Sequence, residues 1–378
     1  MLTNHLKPAE KVLDRYLSLL TRDDRIHGTA IKTYNPQRIL RYQIFTSKLA
    51  SMSTQHILRL FSSLVGFLII GTGHHRELKA DEPSILKVFL LAGQSNMEGQ
   101  GVVDLDHPQY YNGGLGTVKW LLKQDATKER YRHLVDENEN WQPRSDVWCR
   151  FKTREGIKKG PLDIGFAGYG GRHHIGPELQ FGHVLGDAMN TPILIIKTAW
   201  GGKSLFTDFR PPSAGGTVGP YYLQMMKEYH EAIDQIPTEF PHLKNLKPEL
   251  AGFVWFQGWN DAFGPEEARQ EYQVNLRHLI NDVRREFKLP RLPVVIGELG
   301  NEGARASQSV KDIRTAQRAV CCGPDAPMPI AFAETAEFAR PAEKSPNVTH
   351  GHHWYGNAES YLLIGESLGL KMRELLDH

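Results

Sequence analysis

Four short blocks of this 378-residue chain carry side chains that together could transfer an acyl group, which takes a nucleophile, a base and donors for a developing oxyanion. The first is Gly93-Gln94-Ser95-Asn96-Met97-Glu98, directly after the apolar run Val88 to Ala92. A serine on a sharp strand-to-helix turn lifts its hydroxyl above the carboxyl edge of an α/β sheet, and its main-chain N–H groups can point at one oxygen. Serine at such a point equally serves as a helix cap, so nucleophile and cap both stand as readings of Ser95. The second block, Trp200-Gly201-Gly202-Lys203-Ser204, offers the N–H of Gly201 or Gly202, which a substrate oxygen can approach closely because glycine has no side chain. The third, Trp255 to Asp261, adds the side-chain amides of Gln257 and Asn260. The fourth, His350-Gly351-His352-His353-Trp354-Tyr355-Gly356-Asn357, brings imidazoles as the base.

Each block has a simpler explanation. Gly-Gly-Lys-Ser resembles the end of a phosphate loop, but the first glycine of that pattern falls at Lys197, so a nucleotide site fails on spacing. Asn260 and Asp261 could cap a helix starting near Pro265, and the histidines could bind a metal as neutral imidazoles. No carboxylate or cysteine ligands stand at metal-site spacing beside them, so neither metal nor cofactor is expected. The 45 basic and 43 acidic residues leave a net charge of +2, which argues against nucleic acid and favours a small neutral ligand. Cys149, Cys321 and Cys322 are too few for a disulfide framework and read as buried thiols.

The elements that must position these blocks follow from Leu86 onward, where near-continuous apolar runs alternate with amphipathic stretches. Strands are predicted over Lys87 to Ala92, Pro192 to Ala199, Leu250 to Phe256, Leu292 to Glu298 and Met328 to Glu334, the pattern of a parallel sheet covered on both faces. Helices over Gly176 to Met189, Pro265 to Phe287 and Asn357 to Leu375 pack on it. The segment Gly99 to His174 reads as a long irregular insertion, with Trp120, Trp141 and Trp148 available to stack on sugars or to anchor the loop, and a Gly-rich stretch from Gly165 to Gly171. Residues 1–51 read as a poorly structured extension and 52–80 as a secretory signal, with Met52, Arg59 and the run Leu60 to Gly71, too short to span a bilayer. The alternative there is a buried core helix. Residues 84–378 form the main domain, exported to the periplasm or cell exterior, with no stable membrane anchor.

Taken as a set, Gly93-Gln94-Ser95-Asn96-Met97, Gly201-Gly202 and Trp255-Phe256-Gln257-Gly258 resemble the SGNH hydrolase superfamily, and more narrowly its sialate O-acetylesterase and acetylxylan esterase-like carbohydrate esterases. The resemblance runs from Leu86 to about Leu376. It implies a three-layer, flavodoxin-like α/β/α sandwich with a mostly parallel central sheet, a serine nucleophile, no metal, and removal of acetyl groups from sialate- or xylan-type carbohydrates. Carried over, it makes Ser95 the nucleophile and assigns the oxyanion hole to the N–H groups of Ser95 and of Gly202 or Gly201. The third donor is Gln257 by the carbohydrate-esterase pattern or Asn260 by the wider Gly-x-Asn-Asp pattern, with Gln257 favoured. The base is His353, with His352 as rival. The family places an aspartate three residues before the histidine; here that position is His350 or Thr349. Either a Ser-His dyad operates, or Glu334, Glu337 or Glu298 orients the imidazole. The competing functions are a non-catalytic carbohydrate-binding protein on the same fold and an esterase for other short-chain esters.

Overall fold

The computed structural model describes residues 84–323 and 326–377. The extension at 1–51 and the signal-like segment at 52–80 lie outside the described residues. Among the described residues no helix is long and apolar enough to cross a membrane.

Strand β1 (Ile85–Gly93) is apolar on both faces because it sits at the centre of a seven-stranded sheet. It pairs in parallel with β6 (Ile193–Ala199) and β7 (Lys247–Phe256), and β8 (Val294–Gly297) and β9 (Ile330–Ala333) extend the sheet beyond β7. Successive side chains of a strand point to opposite faces, and β1 shows this in its packing. Leu86, Val88, Leu90 and Ala92 enter one apolar cluster and Phe89 and Leu91 the other. Helices α3 (Pro220–Asp234), α4 (Trp259–Ala262), α5 (Glu266–Glu286) and α6 (Gln308–Cys322) supply the first cluster. Helices α2 (Glu178–Ala188) and α7 (Ala358–Leu376) supply the second, so the sheet is the middle of three layers. Gly365 of α7 makes that close helix pairing possible, since a Cβ there would stand 2.3 Å from the Pro177 carbonyl oxygen.

The segment between Gly99 and His174 is more regular than its sequence suggests. It contains β3 (Val147–Thr153), parallel to β6, and β4 (Gly156–Pro161), antiparallel to β3, which form one edge of the sheet. It also holds β2 (Gly101–Val102), paired with β5 (His174–Ile175). Arg150 interrupts the apolar run of β3, and its burial is offset by Glu239, whose Oε2 accepts from Nε at 2.6 Å. Trp148 is buried, and Trp120 and Trp141 pack against the second cluster, so these aromatics anchor the segment to the body.

Candidate active site

The first block is built by close packing at the end of β1. A Cβ on Gly93 would lie 2.1 Å from the Phe256 carbonyl oxygen, so only glycine lets the chain turn there. Ser95 opens the short helix α1 (Ser95–Glu98), and Gln94 is the N-cap, with no side-chain oxygen capping the helix. The capping reading of Ser95 therefore has no bond behind it. Ser95 instead lines a cavity of about 620 Å³, together with Gly201, Gly202, Trp259, Asn260, His352 and His353.

Polar groups fix this turn from several sides. Gln94 Oε1 accepts from the Gly258 and Asn260 N–H groups at 3.2 and 3.3 Å, and its Nε2 donates to Asn260 Oδ1 at 2.9 Å. Gln100 Nε2 donates to the Ser95 carbonyl at 3.1 Å. Beneath the turn the fully buried Lys197 ammonium donates to the Glu98 carbonyl at 2.9 Å, to the Phe166 carbonyl at 2.6 Å and to Glu178 Oε2 at 2.6 Å. Three acceptors, one of them charged, satisfy a cation that would otherwise be costly to bury.

The second and third blocks meet the first at the carboxyl edge of the sheet. Trp200 N–H donates to the Gly93 carbonyl at 3.2 Å, and Gly202 turns with φ +74°, open to a side chain sterically but left-handed in backbone. A Cβ on Gly201 would stand 3.6 Å from Ser95 Cβ and 3.0 Å from Glu98 Oε2. The Gly201 N–H is engaged by the Glu98 carboxylate, and burial raises the pKa of Glu98 against that bond and the nearby Lys197 and Arg154 charges. Asp261 anchors the loop after β6: its buried carboxylate accepts from the Leu205 and Phe206 N–H groups, each at 2.9 Å. Burial lifts its pKa to about 6 in spite of those donors and of Gln257.

The two candidate amides part company here. Gln257 is buried, and its Nε2 donates to the Lys203 carbonyl at 3.0 Å and to Asp261 Oδ2 at 2.6 Å while Oε1 accepts from Tyr272 at 3.0 Å. It does not line the cavity. Asn260 does, and because its Oδ1 is turned to Gln94, its Nδ2 is left for the cavity side.

The histidine turn comes from the far end of the sequence and closes the same cavity. Its carbonyls are held by side chains: Asn96 Nδ2 donates to His352 O at 3.1 Å, Asn301 Nδ2 to Gly351 O at 3.3 Å and to His352 O at 3.0 Å, and the buried Tyr361 hydroxyl lies 3.3 Å from His353 O. Tyr361 also donates to Asn96 Oδ1 at 2.7 Å, which joins α7 to the serine turn. The rings of His352 and His353 lie 4.0 Å apart, and His350 stacks 6.3 Å from His353. Burial, then the neighbouring imidazoles, lowers the His353 pKa to about 3 and lowers that of His352 as well.

The carboxylates offered as orienters lie elsewhere. Glu298 Oε2 accepts from the Thr335 and Ala336 N–H groups at 2.7 and 2.8 Å, Glu334 pairs with Arg318 at 2.5 Å, and Glu337 lines a separate cavity. Among the described residues no carboxylate bonds either ring, and no group of three or more His, Cys, Asp or Glu side chains converges as metal ligands. The cavity also gathers residues that the motifs did not single out: Glu98, Gln100, Arg154, Glu155, Tyr169 and Trp259. Glu98 belongs to the serine block itself, whereas Arg154 and Glu155 depend on the unforeseen β3–β4 turn.

The sheet and the two helical layers on its faces form a three-layer α/β/α fold, with Ser95, the glycine turn and the late histidines around one cavity. A sequence model of the family described as carbohydrate esterase, sialic acid-specific acetylesterase matches residues 85–329, and the chain belongs to that family. It is a carboxylic ester hydrolase by that membership. A probable carbohydrate esterase of Arabidopsis thaliana, At4g34215, is 22% identical over 209 residues, spanning 55% of this chain and 67% of the relative. Its X-ray structure covers 76% of this chain and 97% of its own, with a TM-score of 0.47 at 17% identity. XAC1771, a carbohydrate acetylesterase from Xanthomonas citri, gives a TM-score of 0.45 at 15% identity over 77% of this chain and 56% of that one. NanS gives 0.41 at 15% identity over 67% and 78%.

Proposed function

We propose that this chain removes acetyl groups from O-acetylated carbohydrates by two-step acyl transfer through Ser95. The observation that carries the proposal is the common cavity of Ser95, Gly202, Asn260, His352 and His353, drawn from blocks far apart in sequence. His353, neutral at pH 7, takes the Ser95 proton as Oγ attacks the acetyl carbonyl, forming a tetrahedral oxyanion. The N–H groups of Ser95 and Gly202 and the Asn260 Nδ2 donate to that oxyanion. Gly201 is the weaker choice because Glu98 engages its N–H, and Gln257 because its amide is spent on Lys203 and Asp261. Collapse of the intermediate breaks the ester bond, and the sugar oxygen leaves with the proton from His353. Water, deprotonated by the same imidazole, then attacks the acetyl-serine, and acetate departs with Ser95 restored.

Among the described residues no carboxylate bonds the base, so the proposed site works as a Ser-His dyad whose imidazole is held through its backbone. An imidazole with so low a pKa accepts a proton poorly, which makes turnover slow and shifts the acid limb of the rate profile from near 6.5 towards 3. Ser95→Ala should abolish release of p-nitrophenol from p-nitrophenyl acetate, and retained turnover would falsify the assignment. His353→Ala should cost at least about a hundredfold in kcat and His352→Ala far less. The bare imidazoles also favour a second reading, a sugar-binding protein without turnover; a wild-type protein inert towards every acetyl ester while binding the sugar establishes that one.

A further inference from the structure

The cavity around Ser95 has two chemically different sides. On one, Trp259 adjoins His352, with ring centroids 6.1 Å apart, and lies 4.5 Å from the ring of Phe263. Phe263 does not line the cavity itself, but it packs on Trp259, which does, and is 53% exposed, so the two rings present apolar surface at the Trp259 end of the cavity. Trp259 is half-buried against the core and therefore fixed in place. On the other side stand Glu98, Glu155, Arg154 and Tyr169. Glu155 packs against the Gly-rich stretch, where a Cβ on Gly170 would lie 2.9 Å from Glu155 Oε2. Tyr169 is held by its hydroxyl on Gln100 and by its ring 4.5 Å from that of His174. Ser95 opens the helix between these sides: Gln94 before it bonds Asn260, next to Trp259, and Glu98 ends it on the acidic side.

An aromatic face beside hydrogen-bond acceptors is how a protein holds a polyhydroxylated ring, whose C–H face is apolar and whose rim donates. The charge balance narrows the choice of sugar. Two carboxylates, Glu98 and Glu155, line the cavity against the single guanidinium of Arg154. Of the cations behind that lining, Lys197 is paired with Glu178 beneath the turn, and Lys158, near Glu155, is turned to the Gly165, Tyr169 and Gly171 carbonyls and away from the lining. An anionic sugar would meet unfavourable potential here, and a neutral one would meet acceptors for its hydroxyls.

Resting on the esterase reading above, we infer that the sugar carrying the acetyl group is an uncharged pyranose or oligosaccharide that stacks on Trp259 and Phe263 and donates hydroxyls to Glu98 and Glu155, and that acetylated sialic acids are disfavoured. Phe263 and Glu155 are then specificity-determining residues, acting on the leaving sugar and not on the acetyl group.

The test compares kcat/KM of the purified protein for acetylated xylo-oligosaccharide, 9-O-acetyl-N-acetylneuraminic acid and p-nitrophenyl acetate. The neutral ester is expected to lead the sialic acid ester by about tenfold or more. Glu155→Gln is expected to narrow that gap at least about threefold, and Phe263→Ala to lower the ratio of oligosaccharide ester to p-nitrophenyl acetate about fivefold, mainly through KM. Calorimetric binding of the acetylated xylo-oligosaccharide to Ser95→Ala, set against Ser95→Ala with Phe263→Ala, reads the same apolar surface without turnover. Loss of binding in the double variant supports the inference even in a protein that cleaves nothing, in which case only the esterase reading falls. Preference for the sialic acid ester, or ratios and binding that Phe263→Ala and Glu155→Gln leave within about twofold, overturns the inference while Ser95-dependent hydrolysis leaves the esterase reading intact.

Discussion

The serine turn and the histidine turn face the same cavity but are held in different ways. Around Ser95, side chains are locked by other side chains and by β-strand backbone: Gln94 makes three bonds to the Gly258–Asn260 segment, and Lys197 props the helix from below. Around His353 it is the carbonyls that are held, by Asn96, Asn301 and Tyr361, while the imidazoles touch mainly one another. The backbone there is also tightly coiled, with Trp354 and Tyr355 at φ 53° and 55°, a region that bulky residues seldom adopt. The serine turn is thus held through the side chains that flank Ser95, and the histidine turn only through its chain path. For a proton transfer, which depends on the direction of a ring nitrogen, the second arrangement is the weaker.

Apart from changes to Ser95 and His353 themselves, the largest expected effect falls on the firmly held half. Gln94→Ala removes all three bonds between the serine turn and the third block, and kcat/KM for p-nitrophenyl acetate should drop by about 10- to 100-fold without global unfolding, checked by steady-state kinetics beside circular dichroism. The next effect repairs the loosely held half. His350→Asp puts a carboxylate three residues before His353 and removes an imidazole that helps lower its pKa, so kcat should rise by up to about tenfold and the acid limb of the profile should move up towards 6.5. A variant slower than wild type, with the limb unmoved, would show that this turn does not present the acid to the ring.

The smallest effect is on stability. His174, His183 and His353 have pKa values lowered by burial to about 4, 3 and 3, from 6.5. The unfolded chain therefore binds protons at these sites before the native fold does, and stability falls as pH drops from 6.5 towards 3. Asp261, raised to about 6 from 3.8, works in the opposite direction over 3.8 to 6, as do Glu98, Asp163 and Glu228, which burial also raises, whereas the lowered carboxylates of Asp125, Asp136, Asp146, Glu231 and Glu271 add to the loss on acidification. The urea midpoint should decline steadily below pH 6.5, and an invariant midpoint would contradict the burial of neutral imidazoles.

What was legible in the sequence follows the same divide. The Ser95 block announces itself because the apolar run of β1 and the glycine that must clear Phe256 are adjacent in the chain. The glycine turn after β6 is local in the same sense. Which amide faces the cavity was not legible, since it depends on Tyr272, Asp261 and Lys203 occupying Gln257 and on Gln94 turning Asn260. Strands β3 and β4 stayed hidden because Arg150 reads as a surface charge until Glu239, from a distant helix, is placed against it. Arg154 and Glu155, on the turn between those strands, were lost with them. The absence of an aspartate before the histidine was plain from the residues, while the distance of Glu298, Glu334 and Glu337 from the rings needed coordinates.

In the proposed reaction Ser95 Oγ is the atom that becomes acylated. Treating the native protein with a fluorophosphonate ester and mapping the modified peptide reads this directly. A single adduct on Ser95, formed slowly and lost in His353→Ala, is the expected result; an adduct on another residue, or no adduct from a protein that still hydrolyses acetyl esters, would contradict it.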